Sequence, residues 1–83
     1  RANNSDVIIL SRDNSLLASS LQLGAELREK GLSTEVYMED KKIQKQFDYA
    51  KKMGIPCRVI VGENDTQVEC DDLEFKMQIE NLI

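Results

Sequence analysis

Residues 41–64, KKIQKQFDYAKKMGIPCRVIVGEN, decide the fold. Ile43, Phe47, Ala50 and Met53 recur at helical spacing, so one face points inward while the lysines face water. Gly54 ends that helix and Pro56 prevents its continuation. Cys57 to Val61 then makes a short apolar run closed by Gly62, which suits a strand buried on both faces. Helix, tight reversal and buried strand together form the second half of a βαβ unit.

Working outward, Ser33 to Met38 (STEVYM) reads as the strand ahead of this helix, with Glu39 or Asp40 as the cap. Asp6 to Ser11 is another β-branched and aliphatic run, as in the middle of a parallel sheet. Arg12 to Ser15 follows as a loop in which Asp13, Asn14 or Ser15 can cap the next helix. From Leu16 to Lys30, the residues Leu16, Leu23 and Leu27, with Leu17 and Leu21 beside them, set a helical period. Gly24 lies on that stripe, where glycine costs a helix about 1 kcal/mol relative to alanine. Close approach of helix to sheet is the expected reason. Gly31 stands where a left-handed cap belongs.

The order is β-α-β-α-β, and right-handed crossovers make the three strands parallel. The expected fold is therefore a three-layer α/β/α domain. Its mixed sheet has a parallel core in strand order 2-1-3, extended by antiparallel strand or strands after strand 3. Past Gly62, Val68 and Cys70, then Leu73, Phe75, Met77 and Ile79, alternate with polar residues, which reads as strands up to about Gln78 around an Asp71-Asp72 turn. A helix through Phe75, Ile79 and Leu82 fits the same residues nearly as well.

The 83 residues make one domain, with room for one sheet and helices against it. A sequence starting at Arg1 suggests the C-terminal fragment of a longer chain. No apolar run approaches the ~20 residues that cross a bilayer, and the first residues do not read as a signal peptide. No membrane partner and a cytoplasmic location are expected. The absence of histidine removes the commonest general base, Ser-His and Cys-His pairs, and a nitrogen ligand for metal. Catalysis within this chain, a resident metal and a cofactor of this domain are not expected. Cys57 and Cys70 are too few and too far apart for a CxxC pair or a zinc set, and each sits in a strand-like context that suits packing.

The net charge of −4 conceals a polarised chain. Lys41, Lys42, Lys45, Lys51, Lys52 and Arg58 oppose Asp48 alone within residues 41–58, whereas Glu63, Asp65, Glu69, Asp71, Asp72, Glu74 and Glu80 oppose only Lys76 thereafter. Lys51 and Lys52 stand where the helix dipole alone favours cations. Lys41, Lys42 and Lys45 stand at the other end, which that explanation does not cover.

Ligands of open parallel sheets bind beyond the carboxyl ends of the strands. With strand 1 between strands 2 and 3, that rim carries Ser11, Arg12, Gly62, Glu63, Asn64 and Asp65, and the start of the second helix faces the same side. Neither G-x-G-x-x-G nor GxxxxGK[ST] is present, and only Asp13 and Glu63 could serve a phosphoacceptor site. Unpaired RNA is the better match, because lysines hold backbone while amide and aromatic side chains read bases. The candidate RNA-binding residues are Arg12, Tyr37, Lys41, Lys42, Gln44, Lys45, Gln46, Glu63, Asn64 and Asp65. Phe47 belongs to the core, and Tyr49 borders it.

The stretch LGAELREKGLSTEVYMEDKKIQKQFDYAKKMGIPCRVIVGEND resembles the C-terminal anticodon-binding domain of class IIa aminoacyl-tRNA synthetases, histidyl-tRNA synthetase type. The match rests on Leu27, Arg28 and Gly31, on Lys45, Gln46, Tyr49 and Ala50, and on Gly54, Ile55, Pro56, Gly62 and Glu63. It covers about residues 6 to 65. The resemblance implies a tRNA anticodon stem-loop as partner and a catalytic domain in the same parent chain. That parent would use ATP and Mg as a histidine-tRNA ligase, and a homodimer is compatible with it. The family's acidic residue after the third strand corresponds to Glu63 or Asp65, and its basic and amide residues to Lys41, Lys42, Gln44 and Gln46. Asp71 departs from the lysine expected there, and Glu74 to Met77 offers no glycine. That departure motivates an alternative: a synthetase-derived regulatory or protein-interaction module that has lost tRNA binding.

Overall fold

The structure is a computed structural model that describes residues 4–83, so Arg1 lies outside the described residues. Among the described residues, four strands and three α-helices follow one another as β1 (Val7–Ser11), α1 (Leu17–Glu29), β2 (Thr34–Val36), α2 (Ile43–Lys52), β3 (Cys57–Val61), β4 (Thr66–Cys70) and α3 (Leu73–Leu82). A 3-10 turn over Asn14–Leu16 leads into α1, and Asp13 caps it by accepting from the Ser15 amide. The sheet order is β2-β1-β3-β4. Strands β2 and β3 run parallel to β1, and β4 pairs antiparallel with β3. This is the mixed sheet expected from the sequence.

The central strand β1 is buried along its whole length, and its side chains alternate between two cores. Val7 and Ile9 join Leu27, Val59, Val68 and Ile79 under α1 and α3. Ile8 and Leu10 join Ala50, Ile55 and Ile60 under α2. Helix α2 therefore has one face of the sheet, and α1 and α3 share the other. Gly24 serves the close approach the sequence implied: a Cβ there would lie 2.7 Å from Val36 Cγ2. Gly31 adopts φ +92° beyond α1, as a left-handed cap requires.

Three expectations are corrected. The tail after Cys70 is helix, not strand. The period-two residues Leu73 and Met77 are 68% and 55% exposed, whereas Phe75, Ile79 and Leu82 pack inward at helical spacing. Asp72 is no hairpin turn but the cap of α3, its carboxylate accepting from the Glu74 amide at 3.1 Å. Helix α2 starts at Ile43 with Lys42 as N-cap and without a side-chain cap, so neither Glu39 nor Asp40 fills that role.

Cys57 and Cys70 are more than packing residues. They stand opposite each other across β3 and β4, 4.1 Å apart at Cα, and form a disulfide. The flanking ladder bonds, from Gly62 N to Asp65 O and from Asp71 N to Pro56 O, make theirs a non-hydrogen-bonded pair, the closer of the two antiparallel spacings.

Candidate nucleic-acid interface

The parallel strands end at Ser11, Val36 and Val61, and everything that follows them gathers at one rim. Beyond Val61 the chain reverses tightly through Gly62 to Asp65, with Gly62 N donating to Asp65 O at 2.8 Å. A Cβ at Gly62 would lie 2.9 Å from the Asp65 carboxylate, which folds back over the turn. Arg12 leaves the end of β1 toward this turn. Its amide donates to Val61 O at 3.0 Å, and its guanidinium donates to Gln67 Oε1 at 2.9 Å. A cavity of about 540 Å³ opens beside it, lined by Arg12, Asp13, Ser15, Leu16 and Glu63.

The lysine segment joins the same rim from the other side. β2 stops at Val36 because the chain peels away after Tyr37, whose amide makes the last ladder bond, 2.9 Å to Ile9 O. Gln46 takes over the vacated edge of β1. Its Oε1 accepts from Ser11 N at 3.1 Å, and its Nε2 donates to Ser11 O and to Lys41 O, both at 2.8 Å. Lys41, Lys42 and Lys45 are exposed around that anchor. Being at the amino end of α2, they share it with backbone N–H groups that favour anions.

Not every residue expected at the interface faces solvent there. Arg12, Lys41, Lys42, Gln44, Lys45, Glu63, Asn64 and Asp65 are exposed. Gln44 donates to Asp48 at 3.1 Å. Gln46 does not face solvent: it is 3% exposed, and both of its amide hydrogens are engaged by backbone. Its amide serves there as an internal anchor. Tyr37 is half-buried and packs edge-on against Tyr49, the ring centroids 5.4 Å apart. Burial first, then the Glu39 charge, pushes the Tyr37 phenol up. Tyr49 is pushed up by burial and by Glu35, to which its hydroxyl donates at 3.2 Å.

Gln67 is a part of the rim that the residue pattern did not single out. Gln67 was deducible, because Val68 and Cys70 turn inward and their strand neighbour must turn outward. The rim is mixed in charge: Asp13, Glu39, Asp40, Glu63 and Asp65 stand among its cations. Such a surface offers cations for phosphate, and carboxylates that accept from base amino groups. The acidic helix α3 lies across the sheet from α2 and does not cover the lysines. Among the described residues, no cluster of potential ligands could hold a metal ion, and no helix is long and apolar enough to cross a membrane.

Comparison with known proteins adds an independent line. A family model for the anticodon binding domain matches residues 6–82. A histidine–tRNA ligase of Stenotrophomonas maltophilia is 43% identical over 58 residues, 70% of this chain and 12% of that protein. A histidine–tRNA ligase of Xylella fastidiosa is 36% identical over 76 residues, 88% of this chain and 16% of that protein. The chain thus spans less than a fifth of these relatives. The fold recurs in the RNA binding domain of threonyl-tRNA synthetase from Cryptosporidium parvum, with TM-score 0.79 at 16% identity, over 94% of this chain and 22% of that one. It recurs also in histidyl-tRNA synthetase from Nostoc, with TM-score 0.73 at 20% identity, over 98% and 22%.

Proposed function

The chain belongs to the anticodon binding domain family, and from that premise we propose that it holds the anticodon stem-loop of a tRNA and performs no chemistry itself. The observation that carries the proposal is spatial. Lys41, Lys42 and Lys45 share one rim with Arg12 and the Gly62–Asp65 turn, joined through Gln46 and Ser11. Cations at the helix entry would hold phosphates, while Gln44, Glu63, Asn64 and Asp65 would meet the edges of unstacked bases. The partial coverage of the histidine–tRNA ligases supports a place as one part of such a protein, and the family resemblance makes that the C-terminal part. ATP, Mg and a catalytic domain would then belong to the parent, which would act in the cytoplasm and could pair as a homodimer.

The test is titration of a synthetic histidine-tRNA anticodon stem-loop at several salt concentrations. Replacing Lys41, Lys42 and Lys45 together by alanine should weaken binding and flatten the log–log salt slope by roughly 2–3, at 0.7–0.9 for each phosphate no longer neutralised. An unchanged slope would remove the α2 entry from the interface.

A second reading has its own observation. Leu73 and Met77 stand exposed one turn apart on α3, beside Asp71, Asp72 and Glu74, as a docking surface for another protein would. Silence toward RNA together with a protein complex broken by Met77→Glu would favour it.

A further inference from the structure

We propose that Gln46 is the positioning residue of the RNA-facing rim, a role that rests on the RNA-binding reading above. Its amide does what the next residue of β2 would have done. After Ile9 has accepted from Tyr37, the β2 side of β1 presents the N–H and C=O of Ser11 with no strand beside them. Gln46 answers both, one with Oε1 and one with Nε2. A primary amide carries the same donor and acceptor as a peptide unit, plus one extra hydrogen. That extra hydrogen is the one that reaches Lys41 O.

A single buried side chain thus ties together two limbs of the rim that are far apart in sequence. On one limb, Ser11 leads directly into Arg12, which is fixed to Val61 and Gln67. On the other, Lys41 and Lys42 enter α2 with no side-chain cap of their own. Among the described residues, Gln46 is what bonds the Lys41 carbonyl and, through its second bond from Nε2, joins it to the sheet. Buried backbone groups deprived of partners seek others or water, so without Gln46 the lysine segment would be free to move relative to Arg12. The cations would all remain, but their spacing would no longer be set before RNA arrives, and ordering them would then weaken binding.

This gives Gln46 a signature unlike that of a side chain that meets phosphate. Gln46→Met keeps the shape and removes both amide functions. Gln46→Glu keeps the shape and the acceptor for Ser11 N–H but turns one carboxylate oxygen toward Ser11 O and Lys41 O, where Nε2 had donated. Each variant is titrated with the same stem-loop, at a temperature where its circular dichroism and urea midpoint show it folded. Affinity should fall about tenfold or more in both, with the salt slope of Gln46→Met equal to that of the unaltered chain. Amide exchange should accelerate at Lys41, whose N–H bonds Glu39 O, and in Gln46→Met at Ser11, whose N–H loses its acceptor. In Gln46→Glu, protonating the introduced carboxylate by mild acid restores one donor and should recover part of the affinity and protection. Unaltered affinity in folded Gln46→Met, or a weakening that only tracks its unfolded fraction, would overturn the proposal. A slope lowered like that of the lysine variant would overturn it too. If the unaltered chain bound no stem-loop, the RNA reading would fall, and unchanged exchange protection in Gln46→Met would refute the anchor separately.

Discussion

Alanine at position 24 tests the packing of α1 on the sheet with two opposing effects of known size. Gly24 is fully inside α1, so Gly24→Ala removes a helix penalty of about 0.8–1.0 kcal/mol. Against this, the new methyl would sit 2.7 Å from Val36 Cγ2 and 3.5 Å from Arg28 Nη1. Neither neighbour yields readily. Val36 is β-branched and stiff at χ1, and its backbone is held by pairing with Ile9. Arg28 Nη1 donates to Thr34 O at 2.8 Å. Overpacking of this kind costs about 1–3 kcal/mol, so the net loss should be about 1 kcal/mol. For a domain of this size that lowers Tm by about 4–8 °C. Urea unfolding of the four members of a cycle with Val36→Ala isolates the cause. Val36→Ala removes Cγ2, so Gly24→Ala should stabilise that background by about 0.5–1 kcal/mol. The coupling should then be about 2 kcal/mol, the sum of the penalty in one background and the gain in the other. Stabilisation of the unaltered chain by Gly24→Ala, or a coupling below about 0.5 kcal/mol, within ordinary additivity, would refute the close-approach argument.

The disulfide closes a sequence separation of 13 residues, for which the chain-entropy account gives about 3 kcal/mol. Unfolding free energies from urea curves with and without excess dithiol should differ by that amount, and equal values would contradict it. Asp72→Ala removes the cap on the Glu74 amide and should cost about 1 kcal/mol, read from unfolding and from helical circular dichroism. The raised Tyr49 phenol, set by burial and then by Glu35, means that the folded state prefers the neutral ring. Its stabilisation is complete below the ordinary phenol range near 10 and is lost as pH rises through the higher folded value. Titration of phenolate absorbance should show Glu35→Gln moving the midpoint downward.

The parallel core was legible because burial on both faces leaves few readings of runs such as Asp6–Ser11 and Cys57–Val61. The helix-patterned stretches between successive strand runs are long enough for crossovers, which makes the strands parallel. The tail was not legible because Leu73, Phe75, Met77 and Ile79 satisfy a period of two while Phe75, Ile79 and Leu82 satisfy a helix. Local pattern cannot weigh Leu73 and Met77 as exposed residues without knowing that α3 must lie beside α1. The cysteine pairing follows from the register of β3 on β4. That register depends on the tight turn at Glu63 and Asn64, so spacing counted along the chain understates how near Cys57 and Cys70 come.

The two glutamines of α2 show why the candidate site was only partly readable. Gln44 and Gln46 lie two residues apart and look alike as candidates, yet a helix turns about 200° between them. Relative to the stripe of Ile43, Phe47, Ala50 and Met53, Gln44 falls outside and Gln46 falls within. A polar residue inside an apolar stripe must find partners where it is buried, and the partners on offer at a sheet face are backbone groups left over where a strand stops. The residue pattern ran the STEVYM strand on to Met38, whereas β2 ends at Val36, so the backbone groups left over at Ser11 were not foreseen. Charge pattern identified the side chains that can meet phosphate, since cations remain at the surface wherever the helix places them. It could not identify the one that holds them in register, because an anchoring amide has the same composition as a reading amide and differs only in what surrounds it.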